Sequence, residues 1–526
     1  MSEKKYLIIG SVTEQYFRAA EYIQKKYKIE PVLWAAPSSY TNQIHKDFQD
    51  TIFLDYYLFL RGNVKSVNQL IGANVEDITA PLTIEWQELY SSDRLSIIES
   101  LLHRTDPGGN YTLSEITETV NNYFIIANAI TSKLKPDLIV FSDVPHLPCD
   151  LALYYVAKKQ GIHISFATNT HIENVSFVGD SINAPHNFIN LDKDKKYGES
   201  EKNEFIAKNL QTIGKEIPFY MLPGKGYLAS DTYARSLSTM IYNIIISSLS
   251  SFKWYFLKKI NTLGISNFKN NNERYSKVKN KDLWKTSGSS YVIFRHVVLN
   301  IFLEIYYNYK AKSFLGGSKG AKNKYVYIPL SMQKERTTMP CAGHMYDQSL
   351  YINQIINFLP KGWLVVIKEN PKQFRHNTGI PARDLRFYKK LIQSGVVFAP
   401  LDYPSSDLIS NSAAVCVTTG TAGFESIAGF GKPVLSFADS WYSTLPGIMK
   451  IQNTKDIKKA FELLCSDKII LDKESIDSSI RLLMNKSFLL TFAPLSKEKH
   501  CEYMSLNFAN VWLSILDVNE TKGGVN

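Results

Sequence analysis

Short apolar runs alternate with longer stretches of helical period along most of the chain. Tyr6-Leu7-Ile8-Ile9-Gly10 reads as a first buried strand. Pro31 to Trp34, Thr51 to Leu54, Pro136 to Ser142 and Ile162 to Ala167 read as four more. Between them, apolar positions recur every three or four residues over 14–27, 93–103, 113–134 and 149–160, as in helices with one buried face. Strand, helix, strand in that order predicts parallel strands with helices on both faces. Residues 185–230 carry no clear period.

The pattern turns helical over 230–320, broken by a polar run at 267–280 and by the linker-like stretch Ser313 to Asn323. A second alternating series then starts. Its strands are Tyr325 to Leu330, Trp363 to Lys368, Val396 to Ala399, Ala414 to Thr418 and Pro433 to Phe437. Helices are expected between them near 347–358, 383–394, 405–411 and 421–429, and in a tail at 455–465 and 474–515. The chain thus divides into an N-terminal Rossmann-like domain over 1–230, a helical bridging region and linker over 231–323, a C-terminal Rossmann-like domain over 324–470 and a helical tail over 471–526. The fold class is α/β, with the two domains facing across a cleft.

Ligands of such sheets sit at the carboxyl ends of the strands, so the residues there are the ones to inspect. In Val417-Thr418-Thr419-Gly420-Thr421-Ala422-Gly423-Phe424-Glu425 a strand runs through a small turn into a helix. Free N–H groups at that helix start suit a phosphate. Thr419 and Thr421 add hydroxyls, and Glu425, one turn on, can accept from a ribose. The same pattern fits an ordinary junction capped by Thr421.

Lys368-Glu369-Asn370-Pro371 closes another strand and offers a cation for phosphate or a sugar carboxylate, or else a solvated strand end. Ser331 to Pro340 follows the first strand of the second domain and brings Gln333, Glu335 and Arg336. Asp439-Ser440-Trp441-Tyr442 follows the strand Pro433 to Phe437. Gln333, Glu335, Arg336, Lys368, Glu369, Thr419, Gly420, Thr421, Ala422, Glu425, Ser440 and Tyr442 are the expected donor-side ligands. In the first domain Asp143 and His146 stand at the equivalent edge, where either can take a proton from an acceptor hydroxyl or serve as a cap or loop residue. Glu14 is a weaker candidate; His171, Glu173 and His186 are isolated.

Composition changes this picture little. A net charge of +11 favours anionic partners, but no zinc-finger, RNA-recognition or zipper signature accompanies it, and nucleic acid is not expected. Five scattered cysteines, never in CxxC spacing, argue against a disulfide framework and a zinc site and fit a reducing cytoplasm. The N-terminus lacks the apolar core of a signal peptide. No stretch reaches 18 uninterrupted apolar residues. Met240 to Leu257 and Tyr291 to Tyr307 are aromatic, flanked by Lys or Arg, and read either as buried helices or as a face resting on a membrane. There is no GxSxG elbow, P-loop, HExxH or GxGxxG, and no DxD pair in a metal-binding context.

Tyr325 to Leu330 with Glu335-Arg336-Thr337-Thr338 and Pro340, then Val366-Ile367-Lys368-Glu369-Asn370-Pro371, resembles bacterial capsule polysaccharide biosynthesis proteins. Thr419 to Glu425, Gly431-Lys432-Pro433-Val434 and Trp441-Tyr442 carry the same resemblance. That group includes capsular Kdo transferases and related nonulosonate transferases. The resemblance covers 324–447 and, loosely, 136–161.

It implies a GT-B fold and a nucleotide-activated sugar, CMP-linked by preference, used without a metal or other cofactor. It implies that Lys368 binds phosphate or carboxylate, Glu425 the ribose, and Thr419-Gly420-Thr421 the phosphate, with Asp143 on the acceptor side. Asn370 stands where that group has a histidine. The expectation is a cytoplasmic glycosyltransferase of surface or capsular polysaccharide, with a glycan or lipid-linked glycan acceptor and peripheral contact with the inner membrane. A glycerol-phosphate transferase, a nucleotide-sugar epimerase and a non-catalytic scaffold are the alternatives.

Overall fold

The computed structural model describes residues 4–104, 112–170, 172–215, 290–315, 324–333, 335–374, 383–466, 469, 471–491 and 498–518. The polar run at 267–280, the apolar stretch Met240 to Leu257, most of the Ser313 to Asn323 linker, His171 and Lys334 lie outside these.

The first domain holds β1 (Tyr6–Ile9), β2 (Pro31–Ala36), β3 (Ile52–Asp55), β4 (Leu138–Phe141), β5 (His163–Asn169) and β6 (Val175–Gly179). The second holds β7 (Tyr325–Pro329), β8 (Leu364–Lys368), β9 (Val397–Phe398), β10 (Ala414–Val417), β11 (Val434–Ser436) and β12 (Ile448–Lys450). A last strand, β13 (Phe488–Leu489), returns to the first sheet. The strand orders are β13-β6-β5-β4-β1-β2-β3 and β12-β11-β10-β7-β8-β9. Both follow the doubly wound order, with a switch point between β1 and β4 in one sheet and between β7 and β10 in the other.

The strands run apolar on both faces because helices cover both faces. Leu7 and Ile9 face one core of the first domain, Tyr6 and Ile8 the other. In the second domain Val326 and Ile328 face one side, Tyr325 and Tyr327 the other. Helix Leu113–Leu134 starts in a capping box, Thr112 accepting from the Glu115 N–H while the Glu115 carboxylate accepts from that of Thr112. It ends on Lys135 in the left-handed conformation.

Three expectations need correction. The first sheet is mixed: β6 pairs antiparallel with β5, and β13 antiparallel with β6. The stretch 185–230 contains a helix, Glu199–Thr212. The expected long tail helix breaks into Lys473–Met484 and Glu498–Ile515, with β13 between them. Helix Glu498–Ile515 packs on Glu14–Tyr27 of the first domain, with Phe508 and Trp512 against Tyr16 at ring distances of 4.4 and 5.9 Å. The chain therefore crosses from the second domain back to the first.

Helix Ser290–Leu315 buries Leu303, Tyr307 and Ala311 in the second core and leaves Phe302, Ile305 and Tyr309 exposed. Among the described residues no helix is long and apolar enough to cross a membrane.

Candidate active site at the interdomain cleft

At the second switch point the loops after β7 and β10 are tied together. The Thr419 hydroxyl donates to the Thr337 carbonyl, and a Cβ on Gly420 would stand 3.3 Å from Ser331 Oγ. The loop after β11 joins them: the buried Tyr442 hydroxyl donates to the Gly420 carbonyl. Gly423 is required at this contact, since a Cβ there would come within 2.5 Å of Tyr442 Oη. Ser440 is buried and folds back on Ser443, its N–H donating to Ser443 Oγ at 2.7 Å. Helix Ala422–Phe430 begins at Thr421, whose side chain makes no cap hydrogen bond. The start of that helix is therefore not closed by the threonine hydroxyl that an ordinary junction would use.

Lys368 ends β8 on the Tyr327 side of the sheet. Its ammonium donates to the Tyr403 carbonyl at 2.6 Å and to Ser405 Oγ at 3.2 Å. Burial lowers its pKa to about 8, with Asp402 partly opposing the fall. Ser405 also reaches the Tyr327 hydroxyl, and the Glu425 carboxylate lies near enough to Tyr327 to help keep it protonated. Lys368, through Ser405, and Glu425 thus both bear on one buried phenol.

Glu369 and Gln333 do something else. Glu369 is fully buried and holds Arg383 Nε at 3.1 Å and Tyr388 Oη at 2.7 Å. Arg383 then donates to Gln333 Oε1 at 2.6 Å and to the Ser331 carbonyl at 3.3 Å. Gln348 closes the network on both sides of Ser331. These groups brace the loop after β7 from beneath. Burial alone would lower the Arg383 pKa; the Glu369 carboxylate, with Tyr388 and Tyr351, more than reverses that and holds it above the usual arginine value.

The braced loop projects to the first domain. Arg336 forms an ion pair with Asp143, which follows β4 at the first switch point. Asp143 also accepts from the Val144 N–H at 2.8 Å. His146 lies beside it, its Nδ1 2.7 Å from the Val144 carbonyl. A carbonyl only accepts, so Nδ1 carries the proton and Nε2 the lone pair. Burial, then the charge of Arg104, lower the His146 pKa to about 4.

Arg104 itself, the last residue of helix Ser91–Arg104, donates to the Met339 carbonyl at 2.9 Å. Glu335 lies half-buried near it, and desolvation raises its pKa against the pull of Thr337, Lys372 and Arg104. Glu14, at the start of the helix after β1, is exposed and pairs with Arg18.

Arg104, Arg383, Gln348, Ser405 and Tyr327 were not expected from the sequence. Tyr327 had a signal, a polar-tipped ring in a strand that ends at the cleft. Arg104 had none, since it falls at the end of a helical pattern. Among the described residues no group of three or more His, Cys, Asp or Glu side chains is placed to hold a metal ion.

Two doubly wound domains with facing switch points define the class of architecture, the GT-B arrangement. No family model and no curated protein matches the chain. Solved structures similar to it include a UDP-GlcNAc 2-epimerase from Neisseria meningitidis bound to UDP-GlcNAc, at 13% identity over 91% of this chain and 99% of that one, with a TM-score of 0.23. A glycosyltransferase from Rickettsia africae matches at 8% identity over 99% and 100%, with a TM-score of 0.26. A UDP-forming α,α-trehalose-phosphate synthase from Burkholderia vietnamiensis matches at 9% over 92% and 96%, with a TM-score of 0.27. At these values the likeness carries no argument about this chain's activity.

Proposed function

We propose that this chain is a glycosyltransferase of surface or capsular polysaccharide assembly. It moves a sugar of Kdo or other nonulosonate type from a nucleotide donor, CMP-linked by preference, to a glycan or lipid-linked glycan. The observation that carries this reading is the joining of loops at the second switch point, opposite Asp143 across the domain gap. The donor lies on the second domain, its phosphate at Thr419, Gly420, Thr421 and Ala422 with Lys368, and its ribose at Glu425. Glu335, Arg336, Ser440 and Tyr442 line or shape the same pocket; Gln333 and Glu369 hold its floor.

The acceptor lies on the first domain. In the transfer step the acceptor oxygen bonds to the anomeric carbon while the bond from that carbon to the nucleotide phosphate breaks. The electron pair leaves with the nucleotide, and the acceptor proton passes to Asp143 or to Nε2 of His146. The helix dipole and Lys368 stabilise the departing phosphate. The reaction takes place in the cytoplasm, at the inner face of the membrane. The exposed Phe302, Ile305 and Tyr309 stripe beside Lys310 and Lys312 supports peripheral contact there.

The test is transfer of labelled sugar from a CMP-sugar to a polysaccharide acceptor by the full chain and by Lys368→Ala. Transfer strongly reduced in the folded variant is the expected result. Turnover equal to the parent sinks the assignment of Lys368. Conversion of the nucleotide sugar with no acceptor present replaces the transferase reading with an epimerase.

A further inference from the structure

The domain gap holds more positive charge than the proposed reaction has used. Arg104 comes from the first domain and Arg336 from the second; burial lowers the Arg104 pKa to about 10, and nearby Arg336 adds to the fall against the pull of Cys341 and Glu335. Two guanidiniums brought together from different domains repel one another unless an anion lies between them. Arg336 has Asp143. Arg104 has a single carbonyl, Met339 O, and its buried Nε has no hydrogen-bond partner among the described residues. No carboxylate of the described residues lies within ion-pair distance of it. Glu335 attracts Arg104, but burial opposes its charge. The carboxyl end of helix Ser91–Arg104 offers partial compensation, but a buried donor left unmade is costly and calls for a ligand.

We infer that Arg104 and Arg336 form a two-domain anion clamp that takes an acidic group of the substrate, a phosphate of the donor or the carboxylate of an acidic sugar. This rests on the transferase reading and names the part of the site that the first domain supplies. An anion between the arginines displaces the Asp143 carboxylate from Arg336. The same event therefore binds the substrate and frees the candidate base. It also neutralises a charge that depresses His146. The planar guanidinium fork suits either oxyanion.

Calorimetric titration of the full chain with inorganic pyrophosphate, CMP and free Kdo tests the clamp in the parent, Arg104→Gln and Arg104→Lys. At least one of these anions binds the parent and loses tenfold or more in Arg104→Gln, while Arg104→Lys retains part of the affinity. Loss for pyrophosphate and CMP places the donor phosphate in the clamp. Loss for Kdo alone places the sugar carboxylate there.

The melting temperature of unliganded Arg104→Gln stays equal to the parent's or rises, because a charge lacking a counterion has been removed. Equal anion affinity in parent and Arg104→Gln, or no binding of any of the three to the parent, overturns the clamp. Transfer by Arg104→Gln with unchanged kcat and KM overturns it too, but leaves the transferase reading standing. Anion binding lost in Arg104→Gln, with no transfer by the parent, does the reverse.

Discussion

Among the described residues, two of the contacts between the domains are of opposite composition. On one side, Phe177 of β6 packs on Trp441 at 5.7 Å, and Trp441 on Phe424 at 4.7 Å. Ile172, Val175 and Ile206 of the first domain share that core with Ile427, Ile480 and Leu483. On the other side the contact is ionic: Arg336 with Asp143, and Arg104 against Met339.

The first contact removes apolar surface from water, and opening it costs roughly 25 cal/mol per Å² exposed. The second holds charges that water or a ligand anion can satisfy as well as the protein does, so it opens at little net cost. The apolar contact is therefore suited to remain closed and the ionic one to exchange partners. The crossing strand β13 lies beside β6, on the apolar side, where a permanent link belongs.

This contrast can be broken in several ways. The largest effect belongs to the ionic side. Asp143→Asn is expected to lower transfer by about 10²–10⁴-fold, the usual contribution of a general base, with nucleotide affinity kept or raised; unchanged transfer shifts the base role to His146. Trp441→Ala acts on the apolar side. It should cost roughly 3–5 kcal/mol in denaturant unfolding, and a loss under 1 kcal/mol would show that this contact does not hold the domains.

Asp150 lies in neither contact, in the first turn of helix Pro148–Lys159. It accepts from Tyr56 at 2.8 and 2.9 Å, and burial raises its pKa from 3.8 to about 7 against those bonds. The folded protein holds this proton between pH 4 and 7 and the unfolded chain does not. The contribution is therefore present at low pH and lost as pH rises through about 7. Asp150→Asn should gain up to roughly 4 kcal/mol at pH 8, less at pH 5, with transfer unaltered.

The smallest effect is in Lys368. Its lowered pKa of about 8 means that the free protein sheds this proton above pH 8. Bound phosphate holds the proton, so nucleotide affinity should fall by up to roughly tenfold per pH unit above 8. A flat profile from pH 7 to 9 would remove Lys368 from the phosphate.

Much of the cleft could be read in the sequence because strand ends announce themselves. An apolar run that stops at Thr418-Thr419-Gly420 or at Ser142-Asp143 has to present those residues at the sheet edge. What could not be read is what the sheet edge meets. Glu369 looked like a ligand because it ends a strand, yet it finds Arg383 14 residues on and is buried with it. Arg104 lies 235 residues from the carbonyl it touches. β13 is two residues long, and its Phe and Leu fit a helical period as well as a strand; only pairing with β6 decides it. Local pattern fixes which residues reach an edge, and tertiary packing decides which of them stay available.

On the proposed reading, the loops after β7, β8, β10 and β11 form one nucleotide site. A thermal-shift panel of CMP, CDP, UDP and GDP on the full chain, repeated on Lys368→Ala, tests it most directly. A selective rise in melting temperature with CMP, largely abolished in Lys368→Ala, is the expected result. No shift with any nucleotide, or a CMP shift of the same size in Lys368→Ala, would contradict it.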